Sequence, residues 1–283
     1  PMTMSNHLWF LIPEAILLVG VVFTAITGLM RSSTVRRSTP AVAGLFVAAS
    51  GVASAYVFNA ECLESTTFLM PGLGRWIGVV TACVGLLLIM VSVGSVDRKL
   101  EQSIADGKLR FDPLRAGRGE YYAFMLLSLA GLMLVCTAND LIWLFLALEL
   151  TSLPTYVMVA MSRNKRIAQE AAMKYFFLGA MSAAFFLYGF ALLYASTGTI
   201  EFEDMRVVLQ AQMDNGGLSA LTIGGLLLAL FGIAYKLAAA PLHLYAADVY
   251  EGAASPVTAF LGFVPKAAGA LAIMMILVAT GVD

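Results

Sequence analysis

Charge is scarce in this sequence: seventeen Lys and Arg and eighteen Asp and Glu among 283 residues, 12% of the chain. Soluble domains carry about 25%, so a water-exposed exterior over a compact core is excluded. Cysteine is scarcer still. Cys62, Cys83 and Cys136 stand far apart with no CxxC spacing, which argues against a disulfide scaffold, a zinc site or a cysteine-held iron–sulfur cluster. They read as ordinary apolar residues. No histidine pair suits a haem, and no GxxxxGK[ST] loop cradles a nucleotide. GLGRWIG at residues 72–78 misses the GxGxxG spacing and opens an apolar run instead of following a strand. The expectation is a chain with no metal site, no cofactor or redox centre of its own, and no nucleic-acid partner.

What is abundant is apolar sequence: 60% of residues are hydrophobic and the mean hydropathy is +0.86. At about twenty apolar residues per crossing, eight helices are expected, at roughly 8–30, 41–60, 76–96, 120–138, 140–161, 171–197, 218–240 and 256–281. The fold class is therefore all-α, a polytopic membrane helix bundle with no room for a soluble domain. The run from Leu8 to Met30 is too long for a signal-peptide core and has no basic region before it, so it reads as a mature span.

Basic residues set the orientation. Arg31, Arg36 and Arg37 follow the first span; Arg98, Lys99, Lys108, Arg110, Arg115 and Arg118 the third; Arg163, Lys165 and Arg166 the fifth. The opposite loops hold Glu61, Glu64, the Asn139-Asp140 turn and the acidic EFED segment with Asp214, against Arg75 and Arg206. This alternation supports eight crossings and places the N-terminus on the non-cytoplasmic side.

Four ionisable residues interrupt the spans: Glu149 in LIWLFLALELTSLPTY, Lys174 in EAAMKYFFLGA, Lys236 in FGIAYKLAAAPLH and Lys266 in LGFVPKAAGA. A charge at the centre of a lone helix costs on the order of 3 kcal/mol, so each requires a partner, water or a purpose. Lys174, close to a helix end, either snorkels to the interface or is buried. Glu149 and Lys266 lie midway along their spans, where ~10 residues amount to ~15 Å of helix, out of reach of either surface. Pro154, Pro241 and Pro265 accompany Glu149, Lys236 and Lys266. A proline inside a helix frees the carbonyl four residues back, here Leu150, Leu237 and Leu261, and such polarity survives at membrane depth only beside protein or water.

Glu149, Ser152 and Tyr156 share one helical face, and Lys236 shares a face with His243 if its helix continues past Pro241. His243 is either a proton relay or a hydrogen-bonded surface residue. Asp248 and Glu251 either pair with lysines or face water. The inventory points to proton binding and release, because desolvation disfavours a buried ammonium while a nearby carboxylate supports it, and the two can be played against each other.

DLIWLFLALELTSLPTYVMVA, EAAMKYFFLGAMSAAFFLYGFALLYASTGT and YKLAAAPLHLYAADVYEGAASPVTAFLGFVPKAA resemble the antiporter-like membrane subunits of respiratory complex I, specifically the subunit N branch, which has mitochondrial and plastid counterparts. The likeness covers residues 120 to 280; the first three helices fit by position and hydropathy. The resemblance implies a proton-translocating subunit of a NADH:quinone oxidoreductase, a translocase driven by redox chemistry elsewhere. Its site would be Glu149, Lys174, Lys236 and Lys266, with His243, Asp248 and Glu251 as relay candidates. It implies a seventh helix broken near Pro241, a bacterial inner membrane rather than an organellar or thylakoid one, and other membrane-arm subunits as partners. FMN, iron–sulfur clusters and quinone would belong to those partners. Residues 1–119 are expected to form a three-helix segment and 120–283 a five-helix half-channel repeat, since the family continues into a second, inverted repeat that this sequence lacks. Ala247 and Ala254 stand where the family usually has proline, which bears on the shape of the DVYEG loop. A subunit of a cation/proton antiporter or of a membrane-bound hydrogenase is the alternative, because those complexes use related chains.

Overall fold

The computed structural model describes residues 9–57, 71–96, 102–104, 106–108, 112, 117–161 and 166–281. Its named elements are all helices: α1 Ile12–Leu29, α2 Ser33–Val57, α3 Pro71–Ser92, α4 Arg118–Cys136, α5 Leu141–Met161, α6 Arg166–Thr197, α7 Phe202–Asp214, α8 Ala220–Lys236, α9 Leu244–Gly252 and α10 Ser255–Ala279. Among the described residues seven helices, α1 to α6 and α10, are long and apolar enough to cross a bilayer. Their outward faces carry large apolar side chains, such as Val22 and Phe23 of α1 and Phe177 and Tyr188 of α6. Water would not tolerate so continuous a surface, and lipid does. The chain is a multi-pass, all-α membrane protein.

Helix α4 is the hub. It packs against α1, α2, α3, α5 and α10, and nearly all of its residues are buried. Small residues permit the closest approaches, as membrane bundles require where lipid offers no hydrophobic drive to associate. A Cβ on Gly119 of α4 would lie 2.7 Å from Gly28 Cα and 3.0 Å from the Thr24 carbonyl of α1. A Cβ on Gly232 of α8 would lie 2.6 Å from the Phe186 backbone nitrogen of α6, and Ser182 of α6 donates to the Gly232 carbonyl at 2.7 Å.

Several boundaries differ from the sequence expectation, for physical reasons. α2 begins at Ser33 rather than near 41 and takes in Arg36 and Arg37. Arg36 is buried, and its guanidinium donates to the Met30 and Arg31 carbonyls at 3.0 and 2.7 Å, capping the end of α1. Arg118 opens α4 and donates to the Val96 carbonyl at 2.8 Å. The acidic segment after residue 201 is helical as α7, with Phe202, Met205 and Leu209 turned inward at i, i+3 and i+7. Arg98, Lys99, Arg110, Arg115, Arg163, Lys165, Glu61, Glu64 and Cys62 lie outside the described residues.

The helix expected over 218–240 stops at Lys236. Its seventeen residues give about 26 Å at ~1.5 Å each, less than the ~30 Å hydrocarbon core. The end is a Schellman motif: Ala238 N–H bonds to the Tyr235 carbonyl at 2.9 Å and Ala239 N–H to the Ala234 carbonyl at 3.0 Å. Ala238 supplies the left-handed residue, φ 54°, a conformation that costs a non-glycine residue roughly 1–2 kcal/mol. The break falls near Pro241 as expected, with α8 ending at Lys236, and Leu237 is a cap residue, not a helical carbonyl freed by that proline. In contrast, α5 and α10 run unbroken through Pro154 and Pro265.

Gly119→Val is expected to wedge α1 from α4 and destabilise the full-length protein by about 1–3 kcal/mol. Thermal unfolding in detergent measures it, and an unchanged midpoint would mean that these backbones do not touch.

Candidate functional site

Lys236 is the last residue of α8, where the helix dipole favours a cation. The Schellman turn behind it aims the side chain across the bundle at one turn of α5. Its Nζ donates to Ser152 Oγ at 2.7 Å, to Glu149 Oε1 at 3.1 Å and to the Leu148 carbonyl at 3.3 Å. An ammonium has three donors, and all three have acceptors. Ser152 in turn donates its hydroxyl proton to Leu148 O at 3.0 Å, which leaves its lone pairs for the lysine. The Lys236 side chain is 3% exposed and that of Glu149 16%.

The walls fit the cation. Phe186 of α6 presents its ring 5.4 Å from Nζ, a cation–π contact that needs no hydrogen-bond acceptor. Gly269 of α10 faces the stem: a Cβ there would lie 3.2 Å from Lys236 Cβ. Beside the pair lies a run of tyrosines. Tyr156 meets Tyr175 edge-on at 4.6 Å, Tyr175 stacks on Tyr245 at 5.4 Å, and Tyr245 meets Tyr235 at 4.3 Å. Tyr245 donates to the Tyr235 carbonyl and Tyr235 to the Tyr175 carbonyl, each at 3.1 Å. The Tyr175 hydroxyl lies 3.2 Å from that of Thr155, which donates to the Ser152 carbonyl at 2.6 Å.

Of the other residues singled out from the sequence, Lys174 stands on the exposed face of α6 and bridges to Asp248 of α9 at 2.7 Å and to Glu170 at 2.9 Å. A cleft of about 220 Å³ adjoins them, lined also by Glu251. Lys266 is half-buried, with Nζ 5.5 Å from the Tyr250 ring. His243 is exposed at the start of α9. Because α8 ends at Lys236, the helical face that would have joined His243 to Lys236 does not exist. Glu149, Ser152 and Lys236 are thus brought together, and Lys174, Asp248 and Glu251 form a second group. Tyr156 lies beside the pair, on the helical face it was expected to share with Glu149 and Ser152; Glu170, Tyr175, Tyr235 and Tyr245 escape a reading of the sequence, although EAAMK already places Glu170 one turn before Lys174. Among the described residues no cluster of three or more His, Cys, Asp or Glu suits a metal.

Residues 138–283, which carry every one of these side chains, match the family described as NADH:quinone oxidoreductase/Mrp antiporter, transmembrane. The chain belongs to this family. NADH-quinone oxidoreductase subunit N of Erythrobacter litoralis is 44% identical over 158 residues, covering 56% of this chain and 31% of that protein. Subunit N of Bacillus anthracis is 34% identical over 275 residues, 96% of this chain and 51% of the relative. The chain thus spans a third to a half of the length of these relatives. A chain of respiratory complex I from Thermus thermophilus superposes with a TM-score of 0.68 at 26% identity, covering 93% of this chain and 53% of its own. The fold also matches a chain of an archaeal membrane-bound sulfane sulfur reductase, with a TM-score of 0.74, 22% identity, and 96% and 53% of the two chains covered. The family fold places α5, α6, α8 and α10 together, and the polar side chains meet where they do.

Removing the carboxylate alone, Glu149→Ala, should destabilise the full-length protein by about 1–3 kcal/mol, less than a fully buried pair would lose, because Glu149 keeps 16% exposure. Glu149→Ala with Lys236→Met should recover most of that loss in denaturation measured in detergent. Equal losses in the single and double variants would show that the two charges do not stabilise one another.

Proposed function

We propose that this chain works as the proton-translocating part of a membrane-arm subunit of a NADH:quinone oxidoreductase, the subunit N type, in a bacterial inner membrane. The observation that carries this reading is the Lys236 ammonium, 3% exposed inside the bundle and held by Glu149 and Ser152. The curated relatives named subunit N support the assignment over an antiporter or hydrogenase subunit. The likeness to the sulfane sulfur reductase, at 22% identity, concerns fold.

In this reading Lys236 Nζ holds the proton and Glu149 decides whether it stays. With the carboxylate at 3.1 Å the buried ammonium is compensated. Draw it away and an uncompensated charge remains among α6, α8 and α10, a cost that expels the proton. Lys174, Asp248 and Glu251, with exposed His243, serve the cytoplasmic approach, given an N-terminus on the far side. Lys266 receives or passes on charge along α10. Residues 120–283 act as a half-channel, and 1–119 as a supporting three-helix segment. Moving one charge against 100 mV takes about 2.3 kcal/mol, so the drive comes from FMN, iron–sulfur and quinone chemistry in partner subunits, and this chain acts as a non-redox member of a translocase.

In the assembled complex Lys236→Ala should leave reduction of artificial electron acceptors by NADH unchanged while proton pumping and quinone reductase activity fall together. Full pumping in that variant would sink the proposal.

A further inference from the structure

A second carboxylate lies in the membrane-embedded helices, far in sequence from the Lys236 pair and on the other side of α4. Glu14 is 3% exposed in the first turn of α1. The helix's positive end favours an acidic residue such as Glu14 there. Its Oε2, however, is fully buried and has no hydrogen-bond partner.

The surroundings are polar in a particular way. Ser50 of α2 donates to the carbonyl of the preceding residue, Pro13, at 2.9 Å and approaches Met133 Sδ of α4 at 3.6 Å. Thr81 of α3 borders the same small void as Ser50 and Met133. Ser54 lies against Gly78, beside Met133. The hydroxyls of both Ser54 and Thr81 are buried without partners, like Glu14 Oε2. Cys136 is buried one turn along α4 from Met133. Arg75, the charged residue of α3 at this end, makes no ion pair with it among the described residues. Three orphaned oxygens therefore sit among four helices, and among the described residues no ion pair compensates the Glu14 carboxylate.

We infer that Glu14 is a proton-binding site in its own right, taking up a proton at its buried, unpartnered Oε2. An ionised carboxylate with an unpaired oxygen is among the least tolerable groups in such a place. The acid form removes the charge. A metal cation is the poorer occupant: among the described residues no group of three or more His, Cys, Asp or Glu could hold one, and hard cations want six or more oxygens. The inference does not depend on what Lys236 does.

A hydrophobic carbodiimide tests it, since such reagents add to protonated carboxyl groups buried in membranes. Membranes holding the full-length protein are treated with dicyclohexylcarbodiimide and the peptide containing Glu14 is followed by mass spectrometry. The expected result is one adduct on Glu14 whose yield declines as pH is raised and which is absent in Glu14→Gln. No adduct on Glu14 at any pH would overturn the inference. So would equal labelling by a water-soluble carbodiimide, which would place Glu14 at an aqueous surface, or protection by sodium at fixed pH, which would make it a cation site. Because the primary readout is on the wild-type protein, a poorly folding Glu14→Gln leaves the result decisive, and none of its outcomes bears on pumping through Lys236.

Discussion

One ammonium group, Lys236 Nζ, sets terms for the helices around it. Burying it inside a membrane bundle demands three acceptors, one of them a carboxylate, and α5 supplies all of them from one turn: Leu148, Glu149 and Ser152. For the lysine to reach that turn, α8 must end where it does, and a strained Ala238 ends it there. For α6 and α10 to close over the side chain, Gly232 and Gly269 must lack side chains. The break in α8, the glycines and the tyrosine run are thus parts of one arrangement. Sparsely populated backbone conformations persist where the surrounding structure over-determines them, often at working sites.

Much of this architecture is legible in the sequence. The long apolar runs mark the crossings, because a bilayer admits few ways to satisfy a backbone. The isolated charges announce themselves by contrast with their company. Glu149, Ser152 and Lys236 all stand out there, the first two by sharing a helical face. What escapes does so for identifiable reasons. α7 is too short and too polar to register when one looks for twenty apolar residues. Arg36 reads as a loop charge because nothing local reveals that its guanidinium caps a neighbouring helix. Glu14 hardly lowers the hydropathy of the run from Leu8 to Met30. Tyr156 shares the Glu149 face of α5 and was legible there, but Tyr175, Tyr235 and Tyr245 come from α6, α8 and α9, and no periodicity can show other helices converging on it.

The charges also sort by how each is reconciled with the membrane. Lys236 is buried and paired, Lys174 is exposed and paired with Asp248 and Glu170, and Lys266 is half-buried against an aromatic face. Glu14 has neither cation nor complete hydrogen bonding. Only the first arrangement holds a charge deep in the bundle with its compensation attached, and only there does a small displacement change the balance greatly. A pair such as Lys174 with Asp248 at the surface is worth little by itself, so its contribution lies in position rather than in binding strength.

Which member of the Lys236–Glu149 pair would move in the proposed role follows from the unequal exposure of the two. The lysine stem is gripped by Phe186, Gly269 and the cap of α8, and only 3% of the side chain is exposed. Glu149 keeps 16%, so its far side reaches the outer surface of this chain. The backbone of α5 is no freer than the lysine: Ser128 of α4 donates to the Thr151 carbonyl at 2.6 Å, and Gly131 brings α4 hard against Leu150 and Thr151. Pro154 leaves the Leu150 carbonyl without its helical donor, and α4 covers that weak turn. Rotation of the Glu149 side chain toward whatever borders α5 is therefore the motion of least resistance. It would alter the electrostatics of Lys236 without disturbing a helix, and in the proposed role it would put control of the buried proton at the outer surface of the bundle.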